Sequence, residues 1–289
     1  MFRGRKPSAS GLVCFRYFFC CLGVLLTQGA YAIICPPRGR IVFKVSDWRG
    51  TYLAFFVSIL AGGAAVGRLN LHIDESGNQD LSEGLYLVTV VMHDHGEDIE
   101  TPIERYVERL AVAGLPDIPF HGKDLLHGNE DYAALNPSDR KRLLAQFSRF
   151  VRELPVSYIT FRFDGVDIHD RFELEAKIRR DLAAAVYDHL AYFQMFDTIS
   201  VYYDNGQGAV SVALHDALDY VLARNVADYR DADYGARRLL QVADYICTVE
   251  RAALAYDASS QTKTQERFFG NRREFAQTFM KQLKRKRFA

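Results

Sequence analysis

From about residue 69 onward, apolar runs alternate with amphipathic stretches, and this pattern predicts strands and helices in turn. Runs rich in β-branched and aromatic residues, bounded by turn residues, predict strands at 69–74, 84–92, 157–163, 198–203 and, shorter, 226–229. Apolar residues at helical spacing predict helices at 102–113, 137–154, 170–196, 209–223 and 234–256, followed by a basic helix. Strands first and helices alternating with strands afterwards predict a mixed α/β domain with a central sheet flanked by helices.

The first 67 residues follow a different pattern and predict a separate part of the chain. Residues 17–34 are almost wholly apolar and follow basic residues, and a second apolar stretch covers 52–66. These runs are typical of a cleaved secretory signal, with Ala30-Tyr31-Ala32 as the cleavage site, or of a membrane anchor within 17–66. A third interpretation is an extension outside the working protein, with translation starting near Val66. We therefore divide the chain into an apolar, basic extension (1–67) and a domain (68–289).

Charge is balanced overall but unevenly placed. The chain has 36 basic and 36 acidic side chains, which argues against a protein coated in basic surface. The extension carries eight basic residues and one acidic residue, and the C-terminus is basic again at Arg267, Arg272, Arg273, Lys281, Lys284, Arg285, Lys286 and Arg287. A basic tail on an acidic body is a candidate contact for a phosphate backbone, and a solvated helix face is the alternative.

Cysteine usage favours a reducing compartment for the main body. Four of the five cysteines lie in the extension, and Cys247 alone lies in the domain. The chain contains no pair of cysteine pairs at zinc-finger spacing. The sequence therefore predicts a cytoplasmic domain, unless the extension anchors it to a membrane.

Three acids occupy comparable settings far apart in the sequence. Asp74 ends the first predicted strand, Asp204 ends the fourth, and Asp244 lies on a late helix. Strand ends in an α/β sheet share one crevice, so these carboxylates can converge, with Glu75 as a helper. Hard carboxylate oxygens suit Mg²⁺ or Mn²⁺, which support phosphoryl-transfer chemistry on nucleic acids. Acids after strands are also ordinary turn chemistry, so a plain turn remains the alternative.

Asp244 is the acid that a turn explains least well. Its neighbours Leu240, Ala243 and Ile246 indicate a helix face that packs inward. An acid on such a face costs free energy unless it is paired or binds a cation. Gln241 shares this face and is placed to hydrogen-bond a ligand or a neighbouring carboxylate.

Other polar residues give weaker indications. Lys123, in a predicted polar loop between His121 and His127, is a candidate to neutralise a phosphate or a carboxylate; a solvated lysine is the alternative. His93 and His95 follow the second strand without a third ligand nearby. The sequence has neither a glycine-rich phosphate loop nor a nucleophile elbow.

Taken together, the motifs resemble the bacterial domain-of-unknown-function 3800 family. The resemblance covers the chain from about residue 69 to the C-terminus and rests on IDESGN (73–78), HGK (121–123), YD (203–204), LQVADY (240–245) and FFGNRR (268–273). It implies a ribonuclease H-like fold whose first strand carries a catalytic-type aspartate. It also implies that Asp74, Asp204 and Asp244 match the acidic positions, with Glu75 as a helper.

We therefore expect a cytoplasmic, divalent-metal-dependent nuclease or nucleic-acid-processing protein. Asp74, Asp204 and Asp244 would hold the metal, and Lys123, Arg272 and Arg273 would contact phosphates of DNA or RNA. One alternative is a non-catalytic ribonuclease H-like binding module. The other is a membrane-anchored protein.

Overall fold

The chain divides into two compact units, Met1–Ala65 and Val66–Ala289, in a computed structural model. The structure describes residues 30–35, 40–46, 52–57, 67–77, 84–165, 168, 170–203, 216, 218, 227–229 and 234–288.

The first unit contains a three-stranded antiparallel sheet. Its strands are β1 (Ala30–Cys35), β2 (Arg40–Ser46) and β3 (Tyr52–Val57), in that spatial order. Parts of the two apolar stretches thus form β1 and β3, while 17–29 and 58–66 lie outside the described residues. Within the part of the chain that is described, no helix has the length and apolar character needed to cross a membrane.

The second unit is built on a mixed sheet with strand order β6-β5-β4-β7-β8. Strands β4, β5 and β6 pair antiparallel, whereas β7 runs parallel to β4 and β8 parallel to β7. The prediction of a mixed α/β domain is therefore confirmed. The strands are β4 (Arg68–Ser76), β5 (Leu85–Asp94), β6 (Val156–Asp164), β7 (Thr198–Tyr203) and β8 (Ala227–Tyr229).

Helices flank this sheet and mostly follow the predicted pattern. The predicted helix 170–196 is interrupted at His189, and residues 122–127 form a short helix where a loop was predicted. The predicted helix 209–223 lies outside the described residues, apart from 216 and 218. The helices are α1 (Glu100–Val112), α2 (Gly122–His127), α3 (Pro137–Glu153), α4 (Arg171–Asp188), α5 (Leu190–Phe193), α6 (Tyr234–Asp257), α7 (Lys263–Phe269), α8 (Arg272–Phe275) and α9 (Lys281–Leu283).

Alternation along β4 separates two hydrophobic cores. Leu69, Leu71 and Ile73 are buried in the core beneath α4 and α5. The opposite face of the sheet belongs to a core formed with α1, α3 and α6. Since successive strand residues point to opposite faces, Asp74 faces α6 and Glu75 faces the other core.

Candidate functional site

Helix α6 binds the backbone of the segment that leads into α2. The Phe120 N–H donates to Gln241 Oε1 at 3.1 Å, and the Gly122 N–H donates to Asp244 Oδ2 at 3.0 Å. The Thr248 hydroxyl, one turn further along α6, donates to Asp244 Oδ1 at 3.2 Å. The two sequence motifs around Lys123 and Asp244 therefore form one structural unit.

Gly122 is required by the close approach of α6 to α2. A Cβ atom at this position would lie 1.9 Å from Thr248 Oγ1 and 3.1 Å from Asp244 Oδ1. A distance of 1.9 Å is far inside van der Waals contact, so any side chain here must displace the Thr248 side chain or the helix that carries it. The contact places Asp244 against the start of α2.

The other end of α2 is fixed by a buried arginine. Arg140 on α3 donates through Nη1 to the carbonyls of Leu125 and Leu126, at 2.7 and 3.1 Å. A cation at these carbonyls satisfies the helix C-terminus and favours its dipole. Helix α2 is thus held at both ends, and Lys123 projects from it as an exposed side chain.

Asp74 and Asp244 lie near the same buried sulfur atom. The single S–H group of Cys247 has two acceptors within reach, Thr89 Oγ1 at 3.1 Å from the sulfur atom and the Asp74 carbonyl oxygen at 3.5 Å. Burial raises the pKa of the Cys247 thiol well above its usual range, and the negative charges of Asp74 and Asp244 raise it further. The central strand and α6 therefore bring two of the three predicted acids to one region of the sheet.

A basic residue lies beside this region. Arg251, two turns after Asp244 on α6, donates through Nη1 to Ser76 Oγ at 3.3 Å. Sequence analysis missed both Arg251 and Thr248. Their positions seven and four residues after Asp244 were a usable signal, because residues at this spacing share a helix face.

Burial makes the ionised form of Asp244 costly. Desolvation raises the pKa of its carboxyl group, while a charge on His121 and the donors Gly122 and Thr248 lower it. His121 itself lies 2.8 Å from Asp124, measured from Nδ1 to Oδ2, and is exposed. The main opposing influences on Asp244 are thus one exposed histidine and two neutral donors.

Glu75 belongs to the opposite face of the sheet. The Tyr86 hydroxyl donates to Glu75 Oε2, and Tyr203 also hydrogen-bonds this carboxyl group. Burial raises the pKa of Glu75 despite these two bonds. The adjacent acids Asp74 and Glu75 are therefore separated by the sheet, which the alternation rule alone would have predicted.

The third predicted acid, Asp204, lies outside the described residues. The residues immediately before the two strand-end acids, Ile73 and Tyr203, are paired in the parallel ladder of β4 and β7. Among the residues that are described, no group of three or more His, Cys, Asp or Glu side chains could hold a metal ion.

The basic residues predicted to contact phosphates have different surroundings. Arg272 pairs with Asp257 at 3.0 Å on the surface, and Arg273 is exposed. Two residues of the basic tail, Lys286 and Arg287, instead bind the domain itself, through the Leu154 carbonyl and the Glu250 carboxylate respectively.

His93 lies within β5 and His95 directly follows this strand, and the two histidines have different surroundings. His93 is buried and its Nε2 lies 3.0 Å from the Glu97 carbonyl, whereas His95 is exposed.

Comparison with protein-family models, curated proteins and solved structures finds no match to this chain.

Proposed function

We propose that residues 68–289 form a cytoplasmic, divalent-metal-dependent nuclease with a ribonuclease H-like fold. The observation that carries this proposal is the approach of α6 to the end of β4: Cys247, three residues after Asp244, lies 3.5 Å from the Asp74 carbonyl oxygen. The strand order also supports it, because β4 carries Asp74 in the middle of the sheet, between antiparallel and parallel neighbours.

The donor chemistry fits Mg²⁺ or Mn²⁺. Asp74 and Asp244 offer hard carboxylate oxygens, and Asp204 is the proposed third ligand. Burial raises the pKa of Asp244, so a positive charge beside it would favour the ionised form. A bound divalent ion supplies activation of water and stabilisation of the leaving oxygen in phosphodiester hydrolysis.

The surrounding residues have positioning and binding roles. Gly122 and Thr248 fix the orientation of the Asp244 carboxyl group through their hydrogen bonds. Lys123 on α2 and Arg251 beside Ser76 provide positive charge for the phosphates of DNA or RNA. Arg272 and Arg273 are proposed as more distant phosphate contacts.

The test is metal-dependent cleavage by the full chain on a panel of labelled DNA and RNA, in Mg²⁺, Mn²⁺ or EDTA. We expect EDTA to abolish cleavage and Asp74→Asn or Asp244→Asn to lower it by about a thousandfold or more, with melting temperatures near that of the wild type. Asp257→Asn, an exposed acid on the same helix, is the matched control and should retain activity. Full activity in both site variants would refute the proposal.

One observation favours a second candidate, a non-catalytic nucleic-acid-binding module. Both oxygens of Asp244 already accept hydrogen bonds from Gly122 and Thr248, which is sufficient for a purely structural anchor. This candidate predicts binding of nucleic acid without cleavage. It also predicts that Mn²⁺ leaves the melting temperature unchanged, whereas the nuclease proposal predicts an increase that Asp74→Asn abolishes.

A further inference from the structure

The described residues pair with only a short part of the outer edge of β6. The Tyr158 N–H donates to the Lys286 carbonyl, and the Phe288 N–H donates to the Tyr158 carbonyl, both at 2.9 Å. The backbone groups of Tyr158 therefore point away from β5. In an antiparallel ladder every second residue has this orientation, so Thr160, Arg162 and Asp164 also direct their N–H and C=O groups outward.

No described residue forms a backbone hydrogen bond with this outer edge beyond Tyr158. An open edge is a template for pairing with another strand. The stretch from Thr160 to Asp164 is thus available for pairing as far as the described residues are concerned.

The charged side chains on this edge are complementary to those on the same edge of a second, antiparallel copy. Arg162 and Asp164 lie on the same face of β6 and form an ion pair of 2.8 Å, with 52% and 39% of their side-chain surfaces exposed. If two copies pair antiparallel about Phe163, Arg162 of each copy faces Asp164 of the other. Opposite charges directly across a strand pair are stabilising, and like charges are destabilising.

The hydrogen-bond pattern of the outer edge is compatible with this register. Pairing about Phe163 makes both Arg162–Asp164 pairs hydrogen-bonded pairs, in which the two residues exchange two backbone bonds. Pairing about Arg162 would instead place the two arginines opposite each other. The backbone allows both registers, because each pairs residues whose N–H and C=O groups point outward, and charge selects the register centred on Phe163.

A cleft beside the edge adds apolar surface to this region. It has a volume of about 330 Å³ and lies between β6, α6 and the tail, and its apolar lining includes Ile159, Leu254 and Phe288. A second copy seated on the edge would cover part of this lining, and such burial stabilises association.

We propose that β6 pairs antiparallel with β6 of a second copy of this chain, centred on Phe163, to give a sheet continuous across the two domains. This arrangement is a two-fold symmetric dimer in which the same surface contributes from both sides. The proposal does not depend on the nuclease activity.

Sedimentation velocity of the full chain over a concentration series tests the proposal. We expect a dimer for the wild type, and dissociation constants raised by about tenfold or more for Arg162→Asp and for Asp164→Arg, because each single reversal places like charges opposite each other. The double reversal Arg162→Asp/Asp164→Arg restores complementarity and should restore the dimer.

Each alternative outcome contradicts the pairing. A monomeric wild type, single reversals without effect, or a double reversal that stays dissociated would each overturn it. Melting temperatures of the four proteins verify folding, which these exposed positions should leave intact.

Discussion

Two of the acids on helix α6, Asp244 in its N-terminal half and Glu250 in its C-terminal half, accept hydrogen bonds from different kinds of donor. In the C-terminal half, Glu250 accepts from Arg287 Nη2 with both oxygens, at 2.8 and 2.7 Å, and from the Tyr158 hydroxyl at 2.6 Å. In the N-terminal half, Asp244 accepts from the Gly122 N–H and the Thr248 hydroxyl, which are neutral donors.

The contrast separates a structural ion pair from a candidate site. Glu250 raises the pKa of Arg287, as expected for a carboxylate paired with a cation. Burial instead raises the pKa of Asp244. A partly buried acid that is not paired with a cation costs free energy, and such residues cluster at functional sites.

The largest change in stability is expected from removal of Glu250. Glu250→Ala leaves Arg287 and the Tyr158 hydroxyl without their acceptor, so we expect a loss of about 3 kcal/mol in the free energy of unfolding, measured by urea denaturation. Asp257→Asn on the same helix removes an ion pair whose partners are 63% and 74% exposed, and it should cost about 0.5 kcal/mol or less. Equal effects of the two changes would contradict the structural role of Glu250.

A smaller effect is expected where Asp244 meets α2. Gly122→Ala places a Cβ against Thr248, and we expect a loss of about 2 kcal/mol, partly recovered in the double variant with Thr248→Ala. Gly96→Ala is the control, since its Cβ would meet nothing closer than 3.5 Å. A Gly122→Ala protein as stable as the wild type would show that the contact between Thr248 and Gly122 is not close enough to exclude a Cβ atom.

The smallest expected effect is a pH dependence specific to Asp244. Because its pKa is raised on folding, the contribution of this carboxyl to stability is full below 3.8 and is lost as pH rises through the folded-state pKa. The Asp244→Asn variant has no carboxyl group here to ionise and does not lose stability in this way. The melting temperature of the variant minus that of the wild type should therefore increase from pH 3.5 to neutrality, an interval of about three to four pH units.

Thr248→Val sharpens the same test. The Thr248 hydroxyl lowers the pKa of Asp244, so its removal should extend the loss of stability to higher pH. Parallel pH profiles for the wild type and Asp244→Asn would argue against a raised pKa and against the contrast between the two acids.

Much of the fold follows from local pattern. Strand β7 was predicted with the bounds that it has, 198–203, because its apolar run is sharply bounded by turn residues. Helix α2 was missed because its six residues carry no long periodicity, and its ends are fixed by Arg140 and Asp244 from distant elements. Contacts of this kind leave no local trace in the sequence.

The candidate site was predictable in part. The inward face of Asp244 followed from its apolar neighbours, but its partner in the Gly122 backbone did not. The opposite orientations of Asp74 and Glu75 were available from strand alternation. The ion pair between Arg287 and Glu250 was not predictable from the sequence. Composition alone cannot distinguish a basic tail that binds phosphate from one that binds its own domain.

The contact between α6 and the segment leading into α2 can form only late in synthesis, because its two partners are far apart in the chain. Gly122 and Asp244 lie 122 residues apart, and the tail contact between Arg287 and Tyr158 spans 129. At roughly 5–20 residues per second, a ribosome needs several seconds or more to cover such a distance. During that time the segment leading into α2 lacks its contact with Asp244, and the edge of β6 lacks its contact with Arg287. A chaperone has access to both segments in this interval.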